Sequence, residues 1–185
     1  MGVATAEKLL TAEEFLLLPD DGVPKELVRG RVVPLTVSTP RHGQVCSHVV
    51  CFLHRFLDDH PLGHLVCNDS GVVTERAPDT VRGADVAFYS YRHFPPGPLP
   101  SGYLAVAPEL VFEVRSESDR WGWLLTKVGE YLEADVSVVC VLDEPTSRAT
   151  LYTSDDPPQE IGAEETLTFP DLLPGFEMRV ERFFA

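Results

Sequence analysis

Apolar residues recur along the chain at two spacings, one typical of helices and one typical of strands. In LTAEEFLLLP, Thr11 and Glu14 match a capping box, and Pro19 ends the short helix that this box predicts. Between Pro40 and His60 the spacing predicts a first long helix with one face turned to the core. The apolar positions of that face are Val45, Val49, Phe52, Leu53, Phe56 and Leu57.

Short runs rich in β-branched residues predict the strands. KELVRGRVVPLTV indicates two strands that turn at Gly30, and GHLVCN, GVVTERA and ADVAFYSY indicate successive strands. After a Pro/Gly loop, the pattern predicts a strand, a helix and two strands: Glu109 to Arg115, Asp119 to Ala134, Val136 to Asp143 and Arg148 to Thr153. This order favours an α/β fold with a central mixed β-sheet flanked by helices, and residues 1–185 are predicted to form a single domain.

Composition narrows the class of protein. No apolar run approaches the roughly 20 residues that cross a bilayer, and MGVATAEKLL lacks the basic and apolar regions of a signal peptide. We therefore expect a cytoplasmic protein with no membrane partner. The cysteines stand among apolar neighbours without paired C-x-x-C spacing, so they are predicted to be small buried hydrophobes rather than disulfides or a zinc site. They are Cys46, Cys51, Cys67 and Cys140.

The net charge and the remaining sequence motifs point to no additional catalytic or binding site. The formal net charge of −14 opposes the approach of a polyanion, although much of the acid lies near the C-terminus. Four histidines between 42 and 60 recur every six residues, which on a helix turns successive rings by about 240° and scatters them. The sequence contains no G-x-S-x-G elbow, Walker A loop or G-x-G-x-x-G fingerprint.

Two acids stand in predicted strands where an apolar residue would pack better. Glu113 stands near the end of the run Leu110 to Val114 and shares a strand face with Arg115, so an ion pair between them at the rim is one interpretation. Asp85 stands at the entry to another apolar strand. If the strands are neighbours, the two carboxylates converge and repel each other unless a cation intervenes, and Mg²⁺ accepts such a site. The pattern then favours metal-assisted phosphodiester hydrolysis.

Such a site also needs a cation that stabilises the transition state. Arg115 can contribute charge only, because a guanidinium does not lose its proton. Lys127 is the alternative, since its stem could reach back over the sheet from the flank of an apolar helix stripe. The stripe consists of Trp121, Leu124, Leu125, Val128 and Leu132. A solvated Lys127 paired with Glu130 or Tyr131 fits the same spacing.

The ordered motifs resemble the Uma-two family, a branch of the PD-(D/E)XK, restriction-endonuclease-like superfamily. They are KELVRGRVV, TPRHGQV, VRGADVAFYS, APELVFEVRSESDR, LLTKVGEYLEADVSVVCVLD and LTFPDLLPGFEM, spread over roughly residues 10–180. The resemblance implies a restriction-endonuclease-like core in which Asp85 and Glu113 bind the metal and Lys127 is the superfamily lysine, moved onto the helix. Glu26 matches a recurrent acid and is a fourth catalytic candidate. His42 matches a recurrent histidine of the family. The alternative is that His42 is a surface or packing residue at the start of the helix.

Several residues depart from the family pattern. Ala84 replaces the proline of the usual PD pair, Arg31 replaces an acid, and the usual SPSD turn has become SESD. The resulting hypothesis is a DNA endonuclease that uses Mg²⁺, or Mn²⁺ in its place, and that forms a homodimer by analogy with many superfamily members. The alternatives are a catalytically inactive binding or assembly module on the same fold, and a metal-dependent hydrolase of RNA or a nucleotide.

Overall fold

The computed structural model of the chain describes residues 8–185. The prediction that no signal peptide is present rests on MGVATAEKLL, and most of that segment lies outside the described residues. Within residues 8–185, no helix combines the length and apolar character needed to cross a membrane.

The helices follow the predicted pattern closely. Helix α1 spans Ala12–Leu16, α2 spans Pro40–Asp59, α3 spans Trp121–Glu133, and a 3-10 helix spans Val180–Phe184. The predicted capping box of α1 is confirmed, because Glu14 N donates to Thr11 Oγ1 at 3.1 Å and Thr11 N donates to Glu14 Oε2 at 3.0 Å. Thr39 caps the start of α2, since its hydroxyl accepts from His42 N at 3.2 Å, and Pro40 stands in the first turn.

One large mixed sheet forms the centre of the molecule. Its strands are β1 Lys25–Val28, β2 Arg31–Pro34, β3 Gly63–Glu75, β4 Thr80–Ser90, β5 Leu110–Arg115, β6 Val138–Asp143, β7 Arg148–Tyr152 and β8 Gln159–Ile161. The order is β2-β1-β4-β5-β6-β7-β8, with β3 paired to β4. Strands β5 and β6 run parallel, and the other pairs are antiparallel. A separate hairpin joins β9 Thr166–Phe169 to β10 Leu173–Arg179.

Helices cover both faces of the sheet, as predicted. On one face, Val45 and Val49 of α2 pack in a cluster that includes Phe112 of β5. On the other face, α3 packs in a cluster that includes Val111 and Val139. Because strand residues alternate between faces, Glu113 points to the same side as Val111, toward α3. The sheet thus directs a carboxylate into the layer beneath a helix.

Two parts of the sequence interpretation need correction. GHLVCN and GVVTERA form one strand, β3, rather than two, because the turn-like residues between them make a bulge. The register of β3 against β4 shifts there, and Asn68 and Asp69 adopt positive φ angles of 67° and 52°. The strands after β7 were not predicted, since they are short and carry exposed polar residues.

The C-terminal aromatics are core residues. Phe183 is fully buried and Phe184 nearly so, and the Phe183 ring meets Phe52 of α2 edge to face at 5.5 Å. The alternative of exposed apolar anchors for a dimer is therefore wrong for these two residues, because the 3-10 helix folds them back against α2. The homodimer stays a prediction.

Candidate active site

Asp85 and Glu113 lie on neighbouring antiparallel strands. Val86 lies opposite Phe112 at the end of the β4–β5 ladder, and Asp85 and Glu113 are the next residues beyond that pair on their strands. Asp85 Oδ2 accepts from Val114 N at 2.7 Å, which fixes the Asp85 side chain at the end of β5. The two carboxylates line the same groove. Both residues therefore lie at one groove, while their convergence on a shared metal ion and their catalytic role stay predictions.

The Glu113 carboxylate is buried and fully engaged by α3. Lys127 Nζ donates to Oε2 at 2.8 Å, and the Tyr131 hydroxyl donates to Oε1 at 2.9 Å. Burial raises the pKa of Glu113 to about 8, because the opposing effect of the Lys127 charge is smaller and the nearby Asp85 charge adds to the rise. The proposed Glu113–Arg115 ion pair is wrong: Arg115 instead donates to Asp143, its neighbour in register on β6.

Lys127 lies on the buried face of α3 and not on its flank. The buried residues of α3 are Leu124, Lys127, Val128 and Tyr131. Trp121 and Leu125, which were predicted to belong to the packed stripe, are 39% and 44% exposed. The solvated lysine is therefore wrong as well. Burial favours loss of the Lys127 proton, but the charges of Glu113, Glu26 and Asp85 outweigh it and raise the pKa of Lys127.

Glu26 enters the site through a gap between two strands. Strand β1 pairs with β4 at Val81, and strand β5 pairs with β4 from Val86 onward. Between them, Gly83 N donates to Glu26 Oε1 at 2.9 Å, and Gly83 O accepts from Lys127 Nζ at 2.6 Å. Side chains thus satisfy the backbone groups of Gly83 where a strand partner is missing. The same arrangement holds Lys127 Nζ at 3.5 Å from Glu26 Oε1.

Arg82 is a site residue that the sequence interpretation missed. It is 1% exposed, and its Nη1 donates to Glu26 Oε2 at 2.7 Å. Its Nε and Nη2 both donate to Glu130 of α3, and its guanidinium lies 4.8 Å from the centre of the Trp123 ring. An arginine inside an apolar strand is the same signal that drew attention to Glu113. Arg82 is the closer counter-ion of Glu26, whereas Lys127 lies closer to Glu113 than to Glu26.

His42 also contacts the acids. Its Nε2 lies 3.3 Å from Asp85 Oδ2, and its Nδ1 lies 3.6 Å from Cys46 Sγ. Burial is the largest single effect and opposes protonation of His42, but the hydrogen bonds and charges of Asp85 and Cys46 together outweigh it and raise the pKa of His42 to about 11. His42 is therefore a cation beside Asp85 at neutral pH, rather than only a packing residue. Cys46 is half-buried and Cys51 and Cys67 are exposed, so the prediction of buried cysteines holds only for Cys140.

The comparison with known protein families gives a clear result. The family described as "Uma2: Putative restriction endonuclease" matches residues 12–181. This chain belongs to the Uma2 family. The solved structure of a "putative nuclease belonging to DUF820" from Anabaena variabilis has a TM-score of 0.80 and 13% identity, over 95% of this chain and 97% of that chain. At this identity the likeness shows the fold, and it confirms the restriction-endonuclease-like α/β core. No curated protein matches the chain in sequence.

The altered turn of this Uma2 protein keeps a defined shape without its proline. Asp119 Oδ2 accepts from Ser116 N at 2.8 Å and from Ser116 Oγ at 2.6 Å, and Ser118 Oγ lies 3.0 Å from Ser116 Oγ. These bonds fix the path from the end of β5 to the start of α3. The turn thus links the strand that carries Glu113 to the helix that carries Lys127.

The acids of the Uma2 site suit a hard divalent cation. Within residues 8–185, Asp85 Oδ1 has no hydrogen-bond partner, so one oxygen of Asp85 remains free for a ligand. Glu113 supplies a second carboxylate, and each of its oxygens keeps a lone pair beyond the bond it accepts. Oxygen ligands from one or two carboxylates, completed by water, are the set that Mg²⁺ prefers. A groove of about 440 Å³ leads to these atoms.

Proposed function

We propose that this Uma2 protein is a Mg²⁺-dependent DNA endonuclease, with Mn²⁺ able to replace Mg²⁺. The observation that carries the proposal is that Asp85 and Glu113 line one groove, with Lys127 Nζ 2.8 Å from the Glu113 carboxylate. The family match and the fold of the Anabaena variabilis protein support the same class of reaction.

Each residue would have a separate role. Asp85 and Glu113 would hold the ion, which when bound supplies Lewis-acid activation of water and of the phosphate. Lys127 donates to Glu113 and to Gly83 O and also lies 3.5 Å from Glu26 Oε1, so its positive charge would act on a phosphate from within the site. Its raised pKa keeps it protonated, so it contributes charge and not proton abstraction. Glu26 holds Lys127 and Arg82 in place.

The groove is lined by acids and by cations, and once a metal ion offsets the acids the cations would be left to contact an anionic substrate in spite of the net charge of −14. Arg115 and Arg120 line the groove together with Lys127, and Arg120 is exposed to solvent. Such local cations contact phosphates, whereas the overall charge acts at longer range and is screened by salt. DNA is thus the substrate that we expect to bind here.

The test is cleavage of supercoiled plasmid by the purified chain with Mg²⁺, with Mn²⁺ and with a chelator. We expect nicked or linear products with either ion and none with the chelator. Single-stranded DNA, RNA and nucleotides are assayed in parallel. Cleavage of RNA or nucleotides alone contradicts DNA as the substrate, and no cleavage together with no calorimetric Mg²⁺ binding favours the inactive module.

Metal binding is expected to depend on pH through Glu113. Because the pKa of Glu113 is raised to about 8, the carboxylate is increasingly protonated below that pH, and a protonated acid is a poor ligand. Mg²⁺ affinity should therefore rise from pH 6 to 8, by up to about tenfold per pH unit, and level off above. His42 does not contribute over this range, since its pKa is about 11. Calorimetric titrations at several pH values measure the effect.

A matched variant isolates the group responsible for this pH dependence. The glutamine of Glu113→Gln has the shape of the original side chain but does not ionise. The residual Mg²⁺ affinity of this variant should therefore vary little between pH 6 and 8. An equally steep rise in the variant would assign the pH dependence to another residue.

A further inference from the structure

A second set of metal-ligating side chains adjoins the two acids. His42, Cys46 and Asp85 each offer one ligand atom, and the three atoms lie within 4.8 Å of one another. Two of the contacts are already short, at 3.3 Å between His42 Nε2 and Asp85 Oδ2 and 3.6 Å between Cys46 Sγ and His42 Nδ1. We propose that these residues form a binding site for a thiophilic divalent cation, with Zn²⁺ as its ligand.

The spacing of these atoms suits tetrahedral coordination. With bonds of about 2.0 Å to nitrogen and oxygen and about 2.3 Å to sulfur, neighbouring ligand atoms around Zn²⁺ lie roughly 3.3–3.5 Å apart. The two ring nitrogens of His42 now face different partners, so the imidazole must turn to direct one nitrogen between Cys46 and Asp85. The adjustment is confined to side chains.

Rigid elements hold the three residues in place. His42 and Cys46 are four residues apart on α2, a spacing that puts two ligands on one helix face, as in other helical metal sites. The cap by Thr39 fixes the start of that helix, and the buried Val45 and Val49 anchor it to the core. Asp85 belongs to a central strand and is held by Val114 N. Little chain entropy would be lost on binding.

The donor set distinguishes this site from the Mg²⁺ site. A thiolate and an imidazole bind Zn²⁺ and related transition metals well, whereas Mg²⁺ prefers oxygen ligands. On binding the ion, His42 and the Cys46 thiol would each release a proton, and the resulting Cys46 thiolate and the Asp85 carboxylate would carry two negative charges that balance a divalent ion. A groove of about 780 Å³ opens onto all three residues and gives the ion a path from solvent. A water molecule from this groove would complete the coordination.

Asp85 belongs to both sites, and this has a consequence for activity. An ion bound to His42 and Cys46 would occupy the Asp85 carboxylate and compete with Mg²⁺ for it. Zn²⁺ is therefore expected to inhibit cleavage. This consequence rests on the proposed function, whereas the binding of Zn²⁺ does not.

The test uses Co²⁺ as a spectroscopic probe of the full-length, reduced, metal-free chain. Co²⁺ bound by Cys46 should give a sulfur-to-cobalt charge-transfer band in the near ultraviolet, which Zn²⁺ abolishes by displacement. Cys46→Ser should remove the band and weaken Zn²⁺ binding at least about 100-fold, since even residues that only support a ligand change affinity by about 10–100-fold. Cys51→Ser is the matched control, because Cys51 lines the same groove but is absent from the cluster. It should retain the band.

A further variant separates this proposal from the nuclease proposal. Glu113→Gln should keep the cobalt band while losing cleavage, and the band can be measured even if the wild-type chain cleaves no DNA. Circular dichroism verifies that each variant is folded. The proposal is overturned if the wild-type chain shows no band, if Cys46→Ser retains it, or if Cys51→Ser removes it.

Discussion

Replacing Asp85 with asparagine is expected to lower Mg²⁺-dependent DNA cleavage by at least about 1,000-fold, or about 4 kcal/mol of activation free energy. Asparagine keeps an oxygen that can accept from Val114 N, so the end of β5 should retain its path. What is lost is the negative charge that would hold the ion next to Glu113. Glu113→Gln should have an effect of similar size for the same reason. The initial rate of plasmid nicking, measured with enzyme in excess, gives the comparison.

The control for these variants is a buried acid at the other end of β5. Glu109 is 8% exposed, and its carboxylate accepts from Ser90 N at 2.9 Å, away from the groove that holds Asp85 and Glu113. Glu109→Gln should therefore leave cleavage within about tenfold of the wild type even if it lowers stability. Thermal unfolding of all three variants verifies that they are folded. Undiminished cleavage by Asp85→Asn and Glu113→Gln would exclude both acids from the mechanism.

The position of Asp85 and Glu113 at one groove could be predicted because it depends on strand alternation and on the pairing of two neighbouring apolar segments. Both properties are local or nearly so. The environment of each acid depends on residues far apart in the chain. Arg82 pairs with Glu26 at a separation of 56 residues, and the Tyr131 hydroxyl reaches Glu113 from the buried face of α3. Such contacts depend on how each helix is rotated about its axis and on how the strands are aligned. The spacing of residues in the sequence does not determine either.

The position of Lys127 illustrates the limit of a helical wheel. Hydrophobicity placed Trp121 and Leu125 on the packed side of α3 and Lys127 on its flank. In the structure the buried carboxylates and Gly83 O require a donor from this helix, and Lys127 supplies it from the inner face. Trp121 instead stacks under Arg115 at 4.7 Å. The demand of buried polar groups thus outweighs the apolar pattern in setting the rotation of α3.

Long-range packing also explains the unpredicted C-terminal strands. Strands β8 and β9 have three and four residues, too few for a periodic signal to emerge. Their apolar members are buried because the segment folds back over the core cluster that contains α2. The pairing of His42 and Cys46 with Asp85 has the same origin, since α2 and β4 meet only in the folded chain.

Replacing Arg82 with leucine is expected to lower the free energy of unfolding by about 3–5 kcal/mol, the range for removing one partner of a buried ion pair. The substitution leaves Glu26, which is 2% exposed, without its guanidinium partner, and it removes both donors to Glu130. Lys127 remains 3.5 Å from Glu26 but also binds Glu113, so its compensation is partial. Urea denaturation followed by circular dichroism measures the loss.

The loss should be specific to a buried pair. Arg148 forms an exposed pair with Glu160, with side chains 56% and 67% exposed, so Arg148→Leu should cost less than about 1 kcal/mol. Adding Glu26→Gln to Arg82→Leu should recover part of the stability, because the glutamine leaves no buried charge without a partner. If Arg82→Leu is no more harmful than Arg148→Leu, the Glu26 carboxylate does not need Arg82, and Lys127 must be its main counter-ion. Lys127 would then be shared between two acids, and its hold on Glu113 would be correspondingly weaker.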